Sequence, residues 1–207
     1  MNNFIITGMP RSGTKFLAHA MDRSKNFNVV HDHEQMKMNK LRKSDINKYI
    51  SFVNNRLNKE NYGEISGLYR IDRDSKTSFD KFEANKKGII LRNPIKNIIS
   101  LYNMAGMVNG ENYVTNLPTQ LKILDQIANM EDVKVIFFDQ MTKDKDYLQS
   151  VIEYFGIEDV QITDDIVRKK VNERTNYISL ETIGNKKVNQ LREKTDWFTE
   201  KYDLERI

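Results

Sequence analysis

The chain has 207 residues and no cysteine, which excludes disulfides and thiolate metal sites, and its length suits one domain with a substantial core. With 33 Lys and Arg against 29 Asp and Glu, the formal charge is +4, a mild excess that favours anionic ligands without singling out nucleic acid. No apolar run of about 18 residues and no signal-peptide pattern occurs, so we expect one domain over residues 1–207, cytoplasmic and without a membrane span.

Short apolar runs alternate along the chain with longer segments of helical period. This pattern predicts parallel strands joined by crossover helices. The predicted strands cover residues 4–7, 28–31, 62–66, 88–91 and 133–138. Predicted helices cover residues 13–23, 44–57, 117–130, 146–155 and 186–202, and another begins at Pro94 with Asn93 as its cap. The sequence therefore predicts an α/β fold with a central parallel sheet of about five strands flanked by helices.

The stretch FIITGMPRSGTKFL, residues 4–17, joins the first predicted strand to the first predicted helix through a glycine-bounded loop. Such a loop directs successive backbone N–H groups into one concavity at the positive end of the helix dipole, where phosphate or sulfate oxygens bind. We expect this nest to comprise Arg11, Ser12, Gly13, Thr14 and Lys15. An ordinary strand-to-helix turn, with Gly for geometry and Ser or Thr for capping, is the alternative.

The same loop departs from the Walker A pattern G-x-x-x-x-G-K-[ST], because Thr14 precedes Lys15. A kinase loop needs Lys directly after the second glycine and then a hydroxyl on Mg²⁺. Asp139, after an apolar strand, is the one clear candidate for a Walker B acid and keeps a kinase as the alternative.

A second stretch, LRNPIKNIISLYN at residues 91–103, places Arg92 at the carboxyl end of a predicted strand. Ligands of open α/β sheets bind at that edge. Ser100 lies about two helical turns further on, where it can face back toward the strand end. Two donors on different elements would suit a second phosphate.

Together the two stretches resemble the sulfotransferases that use 3′-phosphoadenosine 5′-phosphosulfate (PAPS). That family carries a PRSGT-type loop, which residues 10–14 match, and an R-x-P-x-x-x-x-x-S motif, which Arg92, Pro94 and Ser100 match. VIFFDQMTKDKDYLQSVIEYFGIED at residues 135–159 and DWFTEKYDL at residues 196–204 are similar to the family's late strand, its following helix and its C-terminal ending. The resemblance covers most of the chain in the family's order.

This resemblance implies a three-layer P-loop NTPase-like fold and transfer of a sulfuryl group from PAPS to an acceptor hydroxyl or amine, leaving adenosine 3′,5′-bisphosphate (PAP). It implies no required metal, which removes the need for the Walker order. It places Arg11 beside the phosphosulfate, and it leaves two roles open for Lys15, which either donates to the same phosphate or faces solvent. Arg92 and Ser100 would hold the 3′-phosphate.

The resemblance implies a base that is a His in the family's cytosolic members and a Glu just beyond the second strand in its tyrosine-sulfating and several bacterial members. In this chain the second strand ends in HDHE at residues 31–34. Glu34 is our expected base, with His33 as its neighbour or rival. His31 and His33 alternate and could supply two metal ligands, but no third is evident at suitable spacing, so we expect no metal site.

One departure weakens the match. YGEISGLYR at residues 62–70 resembles the family's GEKSPxYL segment, but Ile65 replaces its Lys and Gly67 its Pro. Arg70 or Arg73 could restore a cation there. Candidates for the remaining part of the 3′-phosphate site have no discriminating pattern; they are Lys169, Lys170, Lys186 and Lys187.

The acceptor is expected to be a small molecule or glycan with a hydroxyl. Its pocket would be shaped by residues 43–57 and by loops predicted at residues 72–87 and 106–118, which would stand over the strand ends. Nucleic acid is not expected, because the aromatic residues have core spacing and are not interleaved with basic ones. The alternatives are a P-loop nucleotide or small-molecule kinase, or a catalytically degenerate nucleotide-binding module, and the sequence leaves the oligomeric state open.

Overall fold

The structure is a computed structural model that describes residues 2–31, 46–58, 61–67, 79–168, 183 and 185–205, without the side chains of residues 46, 104–113, 168 and 185. Strands and helices follow the order β1 (Asn3–Gly8), α1 (Thr14–Met21), β2 (Asn28–His31), α2 (Ile46–Leu57), β3 (Tyr62–Gly67), β4 (Lys86–Leu91), α3 (Pro94–Ala128), β5 (Val133–Phe137), α4 (Phe138–Met141), α5 (Lys145–Tyr154), α6 (Asp164–Arg168) and α7 (Asn185–Lys201).

The strands form one parallel sheet in the order β2-β3-β1-β4-β5, which confirms the predicted architecture. The central strand β1 is buried at every position, as expected of a strand covered on both faces. Its residues pair with β3 on one side and β4 on the other, so that Gly8 is flanked by Gly67 and Ile90. The carboxyl end of β1 therefore opens in the middle of the sheet edge.

Two helical layers cover the sheet, each over its own hydrophobic core. Helices α1, α4, α5 and α6 pack on one face, over side chains that include Phe4, Ile6 and Ile65. Helices α2, α3 and α7 pack on the other face, over side chains that include Ile5, Tyr62 and Ile89. Successive strand residues alternate between the two cores, as the pleat requires.

The chain leaves β1 and β4 in opposite directions. After β1 it passes through α1 to β2 on one side, and after β4 it passes through α3 to β5 on the other, with α1 and α3 on opposite faces. A crevice between such neighbouring strands is where open α/β sheets bind ligands. The loops that follow β1 and β4, containing Arg11 and Arg92, flank this crevice.

Two sequence expectations about loops were wrong within the described residues. In the loop predicted at residues 72–87, Phe79 and Phe82 are fully buried in the core that α2 and α3 cover, and are not on the surface over the strand ends. Isolated aromatic residues in a polar stretch carry no periodicity, so this burial had no signal in the pattern. The loop expected at residues 106–118 is helical and belongs to α3, which contains Pro118.

Helix α3 bends strongly. Near its end Asp125 accepts a hydrogen bond from Tyr202 Oη at 2.8 Å, and at its start Asn93 Nδ2 donates to the Glu205 carbonyl at 3.0 Å. A straight helix would separate Asn93 from Asp125 by roughly 48 Å. The short segment from Tyr202 to Glu205 spans at most about 11 Å, and the contacting side chains add on the order of 20 Å. The two ends are therefore too close for a straight helix, and Pro118 supplies a reason for the bend.

Among the helices that the structure describes, none combines the length and the apolar character that crossing a membrane requires.

Candidate functional site

The loop after β1 begins with a tight turn that holds Arg11 in an uncommon backbone conformation. Ser12 N donates to the Met9 carbonyl at 3.0 Å, with Pro10 and Arg11 between them. Arg11 has φ 71°, and a positive φ after proline is the arrangement of a type II turn. Such turns favour Gly at this position, and a non-glycine residue there costs about 1–2 kcal/mol. The chain thus accepts strain to place an arginine at the strand end.

Gly13 joins this turn to α1, and two constraints require glycine there. Its φ is 100°, and a Cβ at this position would lie 2.4 Å from Phe138 Cδ2. Helix α1 begins at the next residue, Thr14, so its first N–H groups have no partner within the helix and lie at the end of the loop that follows β1. The local geometry is that of an anion-binding nest.

Ser12 contributes to this nest through its side chain, because its N–H is engaged by the turn. Ser12 Oγ is fully buried and has no hydrogen-bond partner among the described residues. A buried hydroxyl without a partner costs about 1–3 kcal/mol, which an anion oxygen would recover. The serine is therefore placed as a ligand donor would be.

Arg92 follows β4 and reaches across the crevice to the first loop. Its Nη1 donates to the Arg11 carbonyl at 2.7 Å, and its guanidinium lies 4.2 Å from the centre of the Phe138 ring. Arg92 Nε is buried without a hydrogen-bond partner in the described structure. Burial lowers the pKa of Arg92 to about 10, with the Asp139 carboxylate opposing and the Arg11 charge reinforcing that shift. The side chain stays charged at neutral pH, and a bound anion would offset its desolvation.

Ser100 completes the cluster. Arg11 Nε donates to Ser100 Oγ at 2.9 Å, although the two residues are 89 positions apart. The start of α3 is fixed as predicted: Asn93 Oδ1 accepts from the N–H groups of Ile95 and Lys96 at 2.9 and 3.2 Å. The structure therefore brings Arg11, Arg92 and Ser100 into one connected group.

The remaining predicted site residues differ in what the structure says of them. Lys15 is exposed on the first turn of α1. The expected bases His33 and Glu34 lie outside the described residues, as do Arg70 and Arg73, so these roles stay predictions. On the segment where the family motif departs, Ile65 is fully buried in the core beneath α1.

Two of the four lysines considered for the 3′-phosphate lie within the described residues. Lys186 is exposed, and Lys187 Nζ is 5.6 Å from the ring centre of Tyr102, which is on the same helix as Ser100.

Asp139, the acid considered for a kinase, lies in α4 beyond β5. Its Oδ1 is 3.6 Å from Lys96 Nζ, and that lysine also binds Glu205 Oε2 at 2.8 Å. No group of three or more potential metal ligands occurs within the part of the chain that the structure describes.

Sequence reasoning missed one residue of the site, Phe138, and one buried carboxylate on the sheet, Glu64. Phe138 was assigned to a strand, but it contacts the guanidinium of Arg92 and closes the space beside Gly13. The sequence signal was an aromatic at a strand end, which is also common in cores. Glu64 is a buried carboxylate on β3, whose oxygens accept from Tyr62 Oη at 2.6 Å and Ser66 Oγ at 3.2 Å. The alternation of polar Glu64 and Ser66 was the available signal for a polar stripe on this strand.

Comparison with solved structures shows what this geometry resembles. A sulfotransferase from Alicyclobacillus acidocaldarius aligns over 100% of this chain and 97% of its own, with TM-score 0.58 and 13% identity. Mouse sulfotransferase SULT7A1, solved in complex with PAP, aligns over 94% of this chain and 84% of its own, with TM-score 0.53 and 13% identity. A gluconokinase from Sinorhizobium meliloti 1021 aligns over 76% of this chain and 97% of its own, with TM-score 0.51 and 11% identity.

This chain has a P-loop NTPase-like α/β fold. Its structural neighbours include sulfotransferases at low identity and nearly full coverage, and a kinase of the same fold class. No family model matches the sequence, and no curated protein matches it. The comparisons therefore establish the fold, and the activity has to be argued from the site.

Proposed function

We propose that the protein is a sulfotransferase that moves a sulfuryl group from PAPS to an acceptor hydroxyl or amine. The observation that carries the proposal is the contact of Arg11 with Ser100 and Arg92, at 2.9 and 2.7 Å. These residues come from two motifs that the sequence keeps apart, and each motif resembles one half of a site for a molecule with two separated phosphates. A donor with only one phosphate group would not need both.

The residues present fit such a donor. Ser12 Oγ and Arg92 Nε are buried donors without partners among the described residues. Arg92 follows β4 and hydrogen-bonds to the loop that leads into the N-terminus of α1. Polar groups in this arrangement are costly in the empty protein and stabilised by a bound polyanion.

In the proposed reaction the acceptor oxygen attacks sulfur, and the bond from sulfur to the bridging phosphate oxygen breaks. Arg11 would stabilise charge on the equatorial oxygens and on that bridging oxygen, since fixed cations lower the energy of such transition states. The acceptor proton would pass to Glu34, with His33 beside it in the chain. A base must lie within roughly 2.6–3.2 Å of the proton it takes.

The acceptor is proposed to be a small molecule or glycan with a free hydroxyl, received from the face covered by α2 and the start of α3. No metal ion has a role in this mechanism. Adenosine 3′,5′-bisphosphate would remain as the second product.

A kinase of the same fold is the second candidate, supported by the aligned gluconokinase and by Asp139 after β5. The order of Thr14 and Lys15 argues against it, because a kinase loop needs Lys directly after the second glycine.

The deciding experiment compares PAP with ATP and Mg²⁺ as ligands in calorimetry and thermal unfolding. It then follows transfer from labelled PAPS to a mixed acceptor pool. We expect PAP to bind and to raise the unfolding temperature, and the Arg11→Ala variant to lose most of this effect. Arg23→Met, an exposed arginine beyond the far end of α1, is the matched control and should bind as the wild type does. Binding of ATP with Mg²⁺ but not PAP would overturn the proposal in favour of a kinase. Tight PAP binding without transfer to any acceptor would favour a non-catalytic module.

A further inference from the structure

His31 lies against the proposed anion nest through a contact that the site described so far does not use. It is the last residue of β2, and its Nε2 is 3.2 Å from Oγ1 of Thr14, the first residue of α1. Thr14 is buried, with 8% of its surface exposed. Its hydroxyl thus stands between the imidazole and the nest.

A threonine hydroxyl has a single hydrogen to donate. When Nε2 carries no proton, the hydrogen bond requires Thr14 to donate to His31, and that hydrogen is lost to an anion in the nest. When Nε2 is protonated, the imidazole donates to Thr14 Oγ1, and the threonine hydrogen is free to point at the anion. A neutral imidazole with its proton on Nε2 also donates to Thr14 Oγ1, so protonation reverses this hydrogen bond only when the neutral form of His31 carries its proton on Nδ1.

We propose that His31 is a positioning residue for the anion in this nest, acting through Thr14. In the proposal the neutral His31 carries its proton on Nδ1, so that protonation of Nε2 turns the Thr14 hydroxyl toward the bound group and adds a positive charge beside it. The inference rests on the proposed function of the nest as an anion site. It adds that anion affinity rises as pH falls and His31 takes up a proton.

Groups on the neighbouring elements could also influence the charge of His31. The β3 residue in register with it is apolar Ile65. Glu64, next to Ile65, has its oxygens bound to Tyr62 and Ser66, and Tyr62 packs in the core on the opposite face of the sheet. The other charged or titratable groups to be considered are Arg11 in the loop, Lys15 and His19 on α1, and Asp32, His33 and Glu34, which follow in the chain outside the described residues.

A purely structural role for His31 would be to fix the N-terminus of α1. That role predicts a change in stability when His31 is replaced, but no change in the pH dependence of anion binding. The two roles are therefore separable by a binding measurement across pH.

The probe is inorganic sulfate, because it keeps one charge state from pH 5.5 to 8.5, whereas phosphates titrate in that range. Its dissociation constant is measured by calorimetry for the wild type and the variants His31→Gln, Thr14→Val and His19→Gln. We expect wild-type affinity to fall about tenfold between pH 5.5 and 8, the size of one charge-assisted hydrogen bond. The sulfate affinity of His31→Gln should be nearly independent of pH, since an amide donates at every pH. The sulfate affinity of Thr14→Val should be weak and also independent of pH.

His19 is exposed on the same helix as Thr14, so His19→Gln should keep the wild-type change in sulfate affinity with pH. The inference would be overturned if His31→Gln kept the change in sulfate affinity with pH, or if the wild type bound sulfate equally at all pH values. Either result would leave the anion site intact. PAP binding at pH 5.5 and 8 separates the two proposals. If wild type binds neither sulfate nor PAP at either pH, the proposed function fails first, and the positioning role fails with it.

Discussion

Arg11 and Ser100 hydrogen-bond to each other across the crevice, with Nε of the arginine 2.9 Å from the serine hydroxyl. Each is the residue that its motif would direct at a phosphate. In the absence of ligand the two halves of the site thus satisfy one another, which keeps a strained arginine backbone and a partly buried guanidinium in place. A ligand that binds here replaces an internal contact.

Replacing Arg11 by lysine should test the importance of that geometry. Lysine keeps the charge but lacks the fork of donors that reaches Ser100 and an anion together. We expect PAP affinity to fall about tenfold or more, with transfer activity lost in proportion, as measured by calorimetry and by labelled-donor assay. Equal affinity in Arg11→Lys would show that only charge matters at this position.

Gly13→Ala should disrupt the nest and the fold together. Alanine at φ 100° costs about 1–2 kcal/mol, and its Cβ would collide with the Phe138 ring. The matched control is Gly156→Ala, where φ is 85° but the nearest atom is the flexible side chain of Asn2 at 3.2 Å. We expect both variants to unfold at lower denaturant concentration and only Gly13→Ala to lose PAP binding. Loss of binding in both would mean that stability alone explains the effect.

Arg92→Met should separate stability from binding. Arg92 is a partly buried cation, and desolvation lowers its pKa to about 10, so burial disfavours its charge. Methionine of similar length can still pack on Phe138. We expect the variant to unfold at the same temperature as the wild type or higher, and to show no stabilisation by PAP. A large drop in unfolding temperature would instead identify the hydrogen bond to the Arg11 carbonyl as the dominant role.

Lys15→Thr addresses the residue that breaks the Walker order. Because Lys15 is exposed, we expect PAP affinity to change less than about threefold, the range of exposed charge interactions. Calorimetry at low and high salt would measure this, since a screened surface charge loses its effect at high salt. A tenfold loss that persists in high salt would place the ammonium group on the donor.

The ion pairs of Glu205 should make the stability of the protein depend on pH. Hydrogen bonds from Lys96 and Lys143 lower the pKa of its carboxyl to about 2. A depressed acid contributes stability that is complete above the unfolded pKa of about 4.3 and declines as pH falls toward the folded value. The wild type should therefore exceed Glu205→Gln in unfolding temperature at pH 7, and the difference should shrink by pH 3. The effect should be small and reduced by salt, because the pair is exposed.

The sheet was predictable because its signals are local. The apolar run before Gly8 and the loop after it define a buried strand and a helix start, and Asn93 with Pro94 fixes the start of α3 by chemistry that the structure reproduces. These features need only neighbours in sequence. The strands were accordingly predicted to within two residues at each end.

The site was predictable in part. Which residues flank the crevice follows from strand ends, but the contact of Arg11 with Ser100 depends on how α3 packs, which no local pattern encodes. Phe138 was not predicted as a residue of the site for the same reason, since only the fold brings it beside Gly13. Burial of Phe79 was missed because a single aromatic in a polar stretch has no period.

Because α3 bends, the short segment after α7 is attached to both ends of α3. Tyr202 is fastened near the far end and Glu205 at the start, with only a short segment between them. If a ligand at Ser100 altered the bend, one of these attachments would have to release. A probe on Tyr202 would then report an event that takes place near the other end of a 35-residue helix.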